Sequence, residues 1–523
     1  MNMKFLHLLF YGIILSAACA TSTQPAQSDG ATTPIVVAPH APTTYYVATD
    51  GLDENPGTLA APWRTIQHAV NNIGAGDTVL VRGGVYAETV TVQVSGTADL
   101  WITLQSYAGE TAVLDGSSLS NHDGALLTIA DQSYLTIDGL ELRNQRSSQA
   151  QDTPMGIFVT GAAHHITLRH THIHHIENNG GANGNAHGLA VYGTAVPTAI
   201  HDIRIENNEL HDLKLGNSEA LVLNGNVTDF IISGNTIHDN DNIGIDLIGF
   251  EGTAPDPAYD QTRAGIVSGN EVYNIDTLTN PAYGGEQSAA AIYVDGGTDI
   301  VIERNRVYQS NFGIEIASEH DGYATSYITV RNNLIYHNHV AGLGMGGYDT
   351  ERGSTHHCTI VNNTFFENDT NQDFTGELLI QFDTYDNVVQ NNIFVANAQS
   401  LFMTNGYTQN ENNLVDYNLY FAPAGAANSN WEWKTVWYDG FAAYQAATGN
   451  DAHSLFADPQ FANAAALDLR PLAGSPAIDQ GANTDAAGAL DFAGNGRIAN
   501  GIIDLGAYEF NPPSFLLYLA LIY

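Results

Sequence analysis

Gly244-Ile-Asp-Leu-Ile-Gly249, Ala291-Ile-Tyr-Val-Asp-Gly296 and Gly313-Ile-Glu-Ile-Ala-Ser318 are copies of one short template. Each runs small, apolar, variable, apolar, variable, then small or polar. Alternate side chains of a strand point to opposite faces, so the apolar positions go inward and the variable ones outward. The outward set is then Asp246, Tyr293, Asp295 and Glu315. The template recurs upstream at Gly156–Gly161, Gly188–Gly193 and Ala220–Gly225, and downstream at Gly342–Gly347 and, less cleanly, Glu377–Phe382. A second template runs out of phase: Asn, one residue, an aliphatic or aromatic residue, and often His or Tyr. Its Asn residues are Asn208, Asn235, Asn270, Asn305, Asn333, Asn363 and Asn392, spaced 27 to 35 residues apart. A period of that length marks solenoids and stacked arrays, and a unit of strands and turns excludes helical repeats.

Two such templates per unit, with Asn and Gly at the corners, describe a coil that closes on itself and stacks on the next. Over about residues 44–510 the sequence resembles the right-handed parallel β-helix superfamily of secreted polysaccharide-active proteins, with a pectate-lyase-like fold. The expected fold is all-β, a single-stranded right-handed parallel β-helix (solenoid) with an N-terminal capping helix. The Asn column reads as a ladder of side-chain amides hydrogen-bonded from coil to coil. A solenoid must cover its open end, where apolar side chains and strand edges would meet water. Pro62–Val70, with Ile66, Ala69 and Val70 at helical spacing, reads as that cap, and Trp63 as part of its core.

Residues 1–20 read as a signal peptide, because Lys4 precedes the apolar run Phe5–Leu15 and small residues follow it. The ending Ala17-Ala18-Cys19 is similar to a lipoprotein signal, in which Cys19 is lipidated. Ser16 stands where such signals usually carry Leu, and cleavage after Ala20 is the alternative. Residues 21–43, rich in Thr, Pro, Ala and Ser, read as a flexible linker. Residues 44–450 are assigned to the β-helix with its cap, and 400–450, with Trp431, Trp433 and Trp437, to a loop-rich flap against its flank. Residues 451–510, with Asp458-Pro-Gln-Phe461 and Asp504-Leu-Gly-Ala-Tyr-Glu509, resemble the closing segment of secreted bacterial β-helices. The apolar tail 511–523 is too short to span a bilayer and is given no role. The expected location is outside the cytoplasm, at the cell surface, in the periplasm or in the medium, with membrane contact only through a lipid anchor.

The balance of 56 Asp and Glu against 16 Lys and Arg gives a net charge of −40, which excludes nucleic acid as a partner because phosphates need basic groups. It also disfavours anionic membrane surfaces. The expected partner is a carbohydrate polymer or oligosaccharide, met by a monomer. Only two cysteines occur, so no disulfide framework is expected, and Cys358 reads as a small buried hydrophobe. No Cys/His zinc spacing appears.

Outward carboxylates on neighbouring coils carry the chemistry. Adjacent coils lie about 4.8 Å apart and residues two apart on a strand about 6.6 Å, so Asp295 and Glu315 fall diagonally and Asp246 and Glu315 stand two coils apart across Tyr293. Crowded carboxylates push each other's pKa values apart, leaving one protonated as acid and one ionised as nucleophile or base. Asp295, Glu315 and Asp246 are therefore the catalytic candidates. The arrangement looks like the β-helical glycoside hydrolases, including a β-xylosidase family whose Asp and Glu on successive coils are nucleophile and acid/base. Asp295 in Ile292-Tyr-Val-Asp295 matches the Asp; Glu315 matches the Glu less well, one outward position early. Long insertions at Phe250–Asp260 and residues 276–289 would wall the site. Tyr293, Glu251, Glu319, His320, Tyr348, Asn224, Gln381 and Tyr283 are candidate substrate contacts. The hydrolase reading needs no cofactor. A calcium-dependent lyase is the alternative, with Asp241, Asp246 and Asp295 as calcium ligands and Lys214, Arg263 or Arg304 as base. A non-catalytic glycan-binding solenoid is the third reading.

Overall fold

One turn of the chain shows the plan. Ala290–Asp295, Thr298–Glu303 and Arg306–Tyr308 are strands separated by two-residue corners, and Phe312–Ala317 then lies back on Ala290–Asp295. Repeated along the chain, this builds three long sheets of 13, 16 and 13 strands, with parallel pairing between coils. Here sheet I holds Ile245–Ile248, Ala290–Asp295 and Phe312–Ala317; sheet II holds Thr298–Glu303; sheet III holds Arg306–Tyr308. This computed structural model describes residues 40–511, so the expected signal peptide with Cys19, most of the expected 21–43 linker and residues 512–523 lie outside the described residues.

Every full copy of the first template lands in sheet I. Its apolar positions Ile245, Leu247, Ile292, Val294, Ile314 and Ile316 all have zero exposure and fill the interior. Burying each such side chain is worth about 1.5–3 kcal/mol, and repetition makes the core continuous from coil to coil. The second template forms the corner between sheets II and III. There Asn305 Oδ1 accepts from both the backbone N–H and Nδ2 of Asn270, each at 2.9 Å. Asn305 in turn donates to Asn333 Oδ1 and to Val267 O. The same bonds run from Asn208 through Asn392 and on to Asn418. The residue before each rung sits near φ +55° to +65°, the left-handed region, which accounts for Gly234 and Gly269 at two of these places.

At the N-terminal end the helix α1 (Ile66–Asn72) starts later than expected, after Thr65, whose hydroxyl accepts from His68 N. It buries Ile66, Ala69 and Val70 in the same cluster as Trp63 and the first strands. The expected flap at 400–450 is instead ordered secondary structure. Asn430–Trp433 and Val436–Asp439 form a hairpin, and α2 (Phe441–Thr448) follows. Trp431 is fully buried and stacks on Tyr444 at 5.2 Å, so packing won over solvent exposure; Trp437 remains half exposed. Cys358 is buried in the core. Among the described residues, no helix is long and apolar enough to cross a membrane.

Candidate active site

The outward face of sheet I carries the candidate site. Asp246 pairs with Tyr293 and Tyr293 with Glu315, so these three form one row across successive coils. Asp295 lies on the next outward row, opposite Ala317. Asp246, Asp295, Glu315 and Tyr293 are all less than 10 % exposed. They are nonetheless outward residues, covered by loops rather than by the solenoid interior. Glu251 comes from the loop after Ile245–Ile248, Tyr283 from the insertion before Ala290–Asp295, and Glu319 and His320 from the turn after Phe312–Ala317.

Contacts tie these pieces together. Asp295 Oδ1 accepts from the backbone N–H of Glu319 at 2.7 Å. Asn224 donates to Glu251 Oε2 at 2.7 Å. Carboxylate oxygens of Glu251 and Asp295 and a ring nitrogen of His320 lie within 4.8 Å of one another. Tyr293 lies beside Glu319, and Tyr283 beside Asn242. Arg352 stands 4.4 Å over the ring of Tyr348 and donates to Glu319 O. Several buried polar atoms have no partner, among them Asp246 Oδ1, Asn224 Oδ1, Asn242 Oδ1 and His320 Nε2. Buried polar atoms are normally paired, so such a concentration in one place marks a surface built to meet something else.

Burial and mutual repulsion set the protonation. Burial, then Glu219 and Asp295, lifts Asp246 well above the usual carboxylate range. Burial, then Glu319, does the same to Asp295. Burial with Glu319 beside it brings Glu315 up to about 8. So many carboxyls with one nearby guanidinium cannot all be charged at neutral pH. Hydrogen bonds to the charged form favour ionisation, but at Asp295 burial and Glu319 outweigh the one it receives. Asp295 receives such a donor from Glu319 N, whereas none reaches Glu315 among the described residues.

Of the residues picked from sequence, Asp246, Asp295, Glu315, Tyr293, Glu251, Glu319, His320, Asn224, Tyr283 and Tyr348 converge here. Asp241 does not. Its Oδ1 accepts from Leu215 N, and it lines a separate groove of about 630 Å³ with Glu177 and Lys214, at the corner leaving sheet III. The calcium set Asp241, Asp246 and Asp295 is therefore not assembled; the oxygens and nitrogen nearest to holding an ion are those of Glu251, Asp295 and His320. Gln381 lies two coils beyond Glu315, with its side-chain oxygen buried and unpaired. Lys214, 57 % exposed at its side chain, bonds Asn179, Arg263 bonds Asn226 and Arg304 bonds Glu303, so none of the three lysine or arginine candidates faces the carboxylates.

Sequence reading missed Glu219, His187, Tyr192, Asn242 and Arg352. His187 contacts Glu219 at 3.4 Å and Tyr192 Oη at 3.2 Å. Burial pushes His187 down to about 4 and Glu219 up, driving both toward their uncharged forms. Each residue precedes its template copy by one position, Glu219 just before its strand and His187 at the first residue of its strand. A template starting one residue earlier would have caught them.

This is the architecture of the right-handed parallel β-helix class of carbohydrate-active proteins. Residues 45–248 match the family described as Pel9A-like, right handed beta helix region, and residues 258–437 the family described as right handed beta helix region. The chain is 43% identical over 434 residues to the uncharacterized protein YwoF of Bacillus subtilis (strain 168), covering 83% of this chain and 91% of that one. It belongs to the right-handed β-helix family that includes YwoF. It is also 35% identical over 144 residues to pectate lyase PEL9 of Emericella nidulans, a match covering 24% of this chain and 33% of that enzyme. The crystal structure of pectate lyase Pel9A superposes with a TM-score of 0.47 at 15% identity, covering 90% of this chain and 97% of that one.

Proposed function

We infer that this protein is an exported enzyme acting on extracellular polysaccharide or oligosaccharide, and that its reaction is glycoside hydrolysis. The observation that carries the reading is the buried crowd of outward carboxyls around Asp295, with unpaired polar atoms among them and, among the described residues, no lysine facing them. Hydrolysis of a glycosidic bond needs two carboxyls in different protonation states. Asp295 is assigned the role of nucleophile or base; burial and Glu319 hold a proton on it, so this role requires that the proton leave when substrate binds, helped by the backbone donor at 2.7 Å. Glu315, uncharged up to about pH 8, is the acid that protonates the leaving oxygen. Glu319 raises the proton affinity of both carboxyls, while Asp246, Glu251, Asn224, Tyr283 and Tyr348 border the sugar.

A calcium-dependent lyase is the second reading, favoured by the partial match to a fungal pectate lyase. Lyase chemistry needs a base for the proton next to a uronate carboxyl, with calcium supplying charge neutralisation. Glu251, Asp295 and His320 fit a cation only partly, since an imidazole replaces one of the oxygens that calcium prefers. The deciding experiment is a glycan screen with the purified protein, followed by reducing ends and by absorbance of unsaturated product, with and without chelator. Reducing ends without ultraviolet absorbance, unchanged by chelator, support hydrolysis. Absorbing product that chelator abolishes replaces it with the lyase.

A further inference from the structure

Away from the carboxylate cluster, the outward face of sheet III carries a second concentration of metal-ligating side chains. Its strands Leu140–Arg143, His172–His174, Glu209–His211 and Thr236–Asn240 stack in register. One outward row runs Glu141, His172, Glu209, Thr236, and the other runs Arg143, His174, His211, His238. The inward residues between the rows, Leu142, Ile173, Leu210 and Ile237, are fully buried, so the backbone beneath is rigid. Four imidazoles from three consecutive coils are thereby held on a fixed platform. His174, His211 and His238 stack face to face at about 5 Å, and the column continues through Tyr273.

The nitrogens converge. His172 Nε2 and His211 Nε2 are 2.6 Å apart, and Glu209 Oε2 is 3.9 Å from His172 Nε2. Ligand atoms of His172, Glu209 and His211 all fall within 4.8 Å of one another. His211 Nδ1 contacts Asp212 Oδ2 at 2.7 Å, which fixes the Nδ1–H tautomer and leaves Nε2 as a lone-pair donor aimed at His172. A carboxylate behind an imidazole is the arrangement that orients and strengthens histidine ligands in metal sites. Glu141 is less available, since Arg143 holds it at 2.6 Å.

We propose that His172, His211 and Glu209 bind one divalent transition-metal ion of the zinc class, clipping two adjacent coils together, with a fourth position left to water. Two imidazoles and a carboxylate suit zinc, copper or nickel rather than calcium or magnesium. With Zn–N distances near 2.0–2.1 Å, small rotations about the side-chain bonds bring both Nε2 atoms to one ion. The site stands apart from the carboxyl cluster and does not depend on the proposed hydrolysis.

The test is a zinc titration of the full chain, stripped with chelator, by calorimetry, with thermal unfolding in parallel. One equivalent of zinc is expected to bind and raise the melting temperature. His172→Gln with His211→Gln is expected to abolish that equivalent, and Asp212→Asn to weaken it by about tenfold. Loaded with cobalt, the wild type is expected to show visible d–d absorption that the double variant lacks. The comparator is His201→Ala, in the separate group His165, His201 and Asp202, which is expected to keep full binding. Because Asp212→Asn leaves the platform intact, a folding defect in the double variant does not blur the outcome. No zinc uptake by the wild type overturns the proposal, as does undiminished affinity in Asp212→Asn and the double variant, or loss of the bound equivalent in His201→Ala.

Discussion

Two polar columns run along the same solenoid and behave in opposite ways. At the corner between sheets II and III, each buried Asn spends its oxygen on the coil before and its nitrogen on the coil after, so the column is closed on itself. On the outward face of sheet I, buried Asp246 and Asn224 keep oxygens with no partner, and carboxyls crowd one another instead of pairing with cations. Stacking identical positions makes either outcome available. An amide has both donor and acceptor and can satisfy its copy in the next coil, whereas a carboxylate only accepts and repels its copy. The first column spends its polarity on stability. The second holds it ready for a substrate.

The largest expected effect sharpens that contrast from the cluster side. Asp295→Asn is expected to lower glycan hydrolysis by about a thousandfold, within the range for lost acid–base or nucleophilic carboxyls, with melting unchanged or raised. The ladder side should respond the other way. Asn305→Ala removes a side chain that bonds Asn270, Asn333 and Val267, and is expected to cost about 3 kcal/mol in denaturant unfolding while the catalytic rate of the folded fraction stays the same. A ladder variant that lost activity without losing stability would break the comparison.

A smaller effect comes from pH. Glu315 titrates near 8 in the folded protein, against about 4.3 for an unperturbed Glu. Between those values the unfolded chain releases the proton and the folded one retains it, so this group's contribution makes stability fall as pH rises through the window. Glu315→Gln should remove that slope. Its stability gain over wild type is expected to be near zero at pH 4 and to grow steadily as pH rises to about 8, read from melting at both ends. The smallest effect is expected from Lys214→Ala, which should leave hydrolysis within about twofold, as expected for a surface substitution away from the site. A large loss there would move the chemistry to the Glu177–Asp241 groove.

The fold was almost fully legible in the sequence because a repeat prints its own period. Asn208 through Asn392 gave the ladder, and Gly244-Ile-Asp-Leu gave the inward and outward phase that sheet I displays. The site was legible only where it followed that phase. Asp246, Tyr293, Asp295 and Glu315 obey the two-residue alternation and were readable. Glu219 sits just before its strand and His187 at the first position of its own, both outside the template as written, and Arg352 reaches in from a loop whose path no local pattern encodes. Asp241 misled for the same reason: it is five residues from Asp246, yet a corner intervenes and sends its carboxylate to another groove. The 400–450 segment misled because its tryptophans lie among Asn and Ala, and only the packing of Trp431 on Tyr444 shows a closing element.

The most direct measurement compares wild type, Asp295→Asn and Glu315→Gln for reducing-end release from whichever glycan the wild type cleaves, with unsaturated product monitored in the same reactions. Loss of release in both variants, with no ultraviolet-absorbing product from the wild type, is the predicted result. Undiminished release in both variants, or a chelator-sensitive absorbing product, would contradict a hydrolytic centre on the outward face of sheet I.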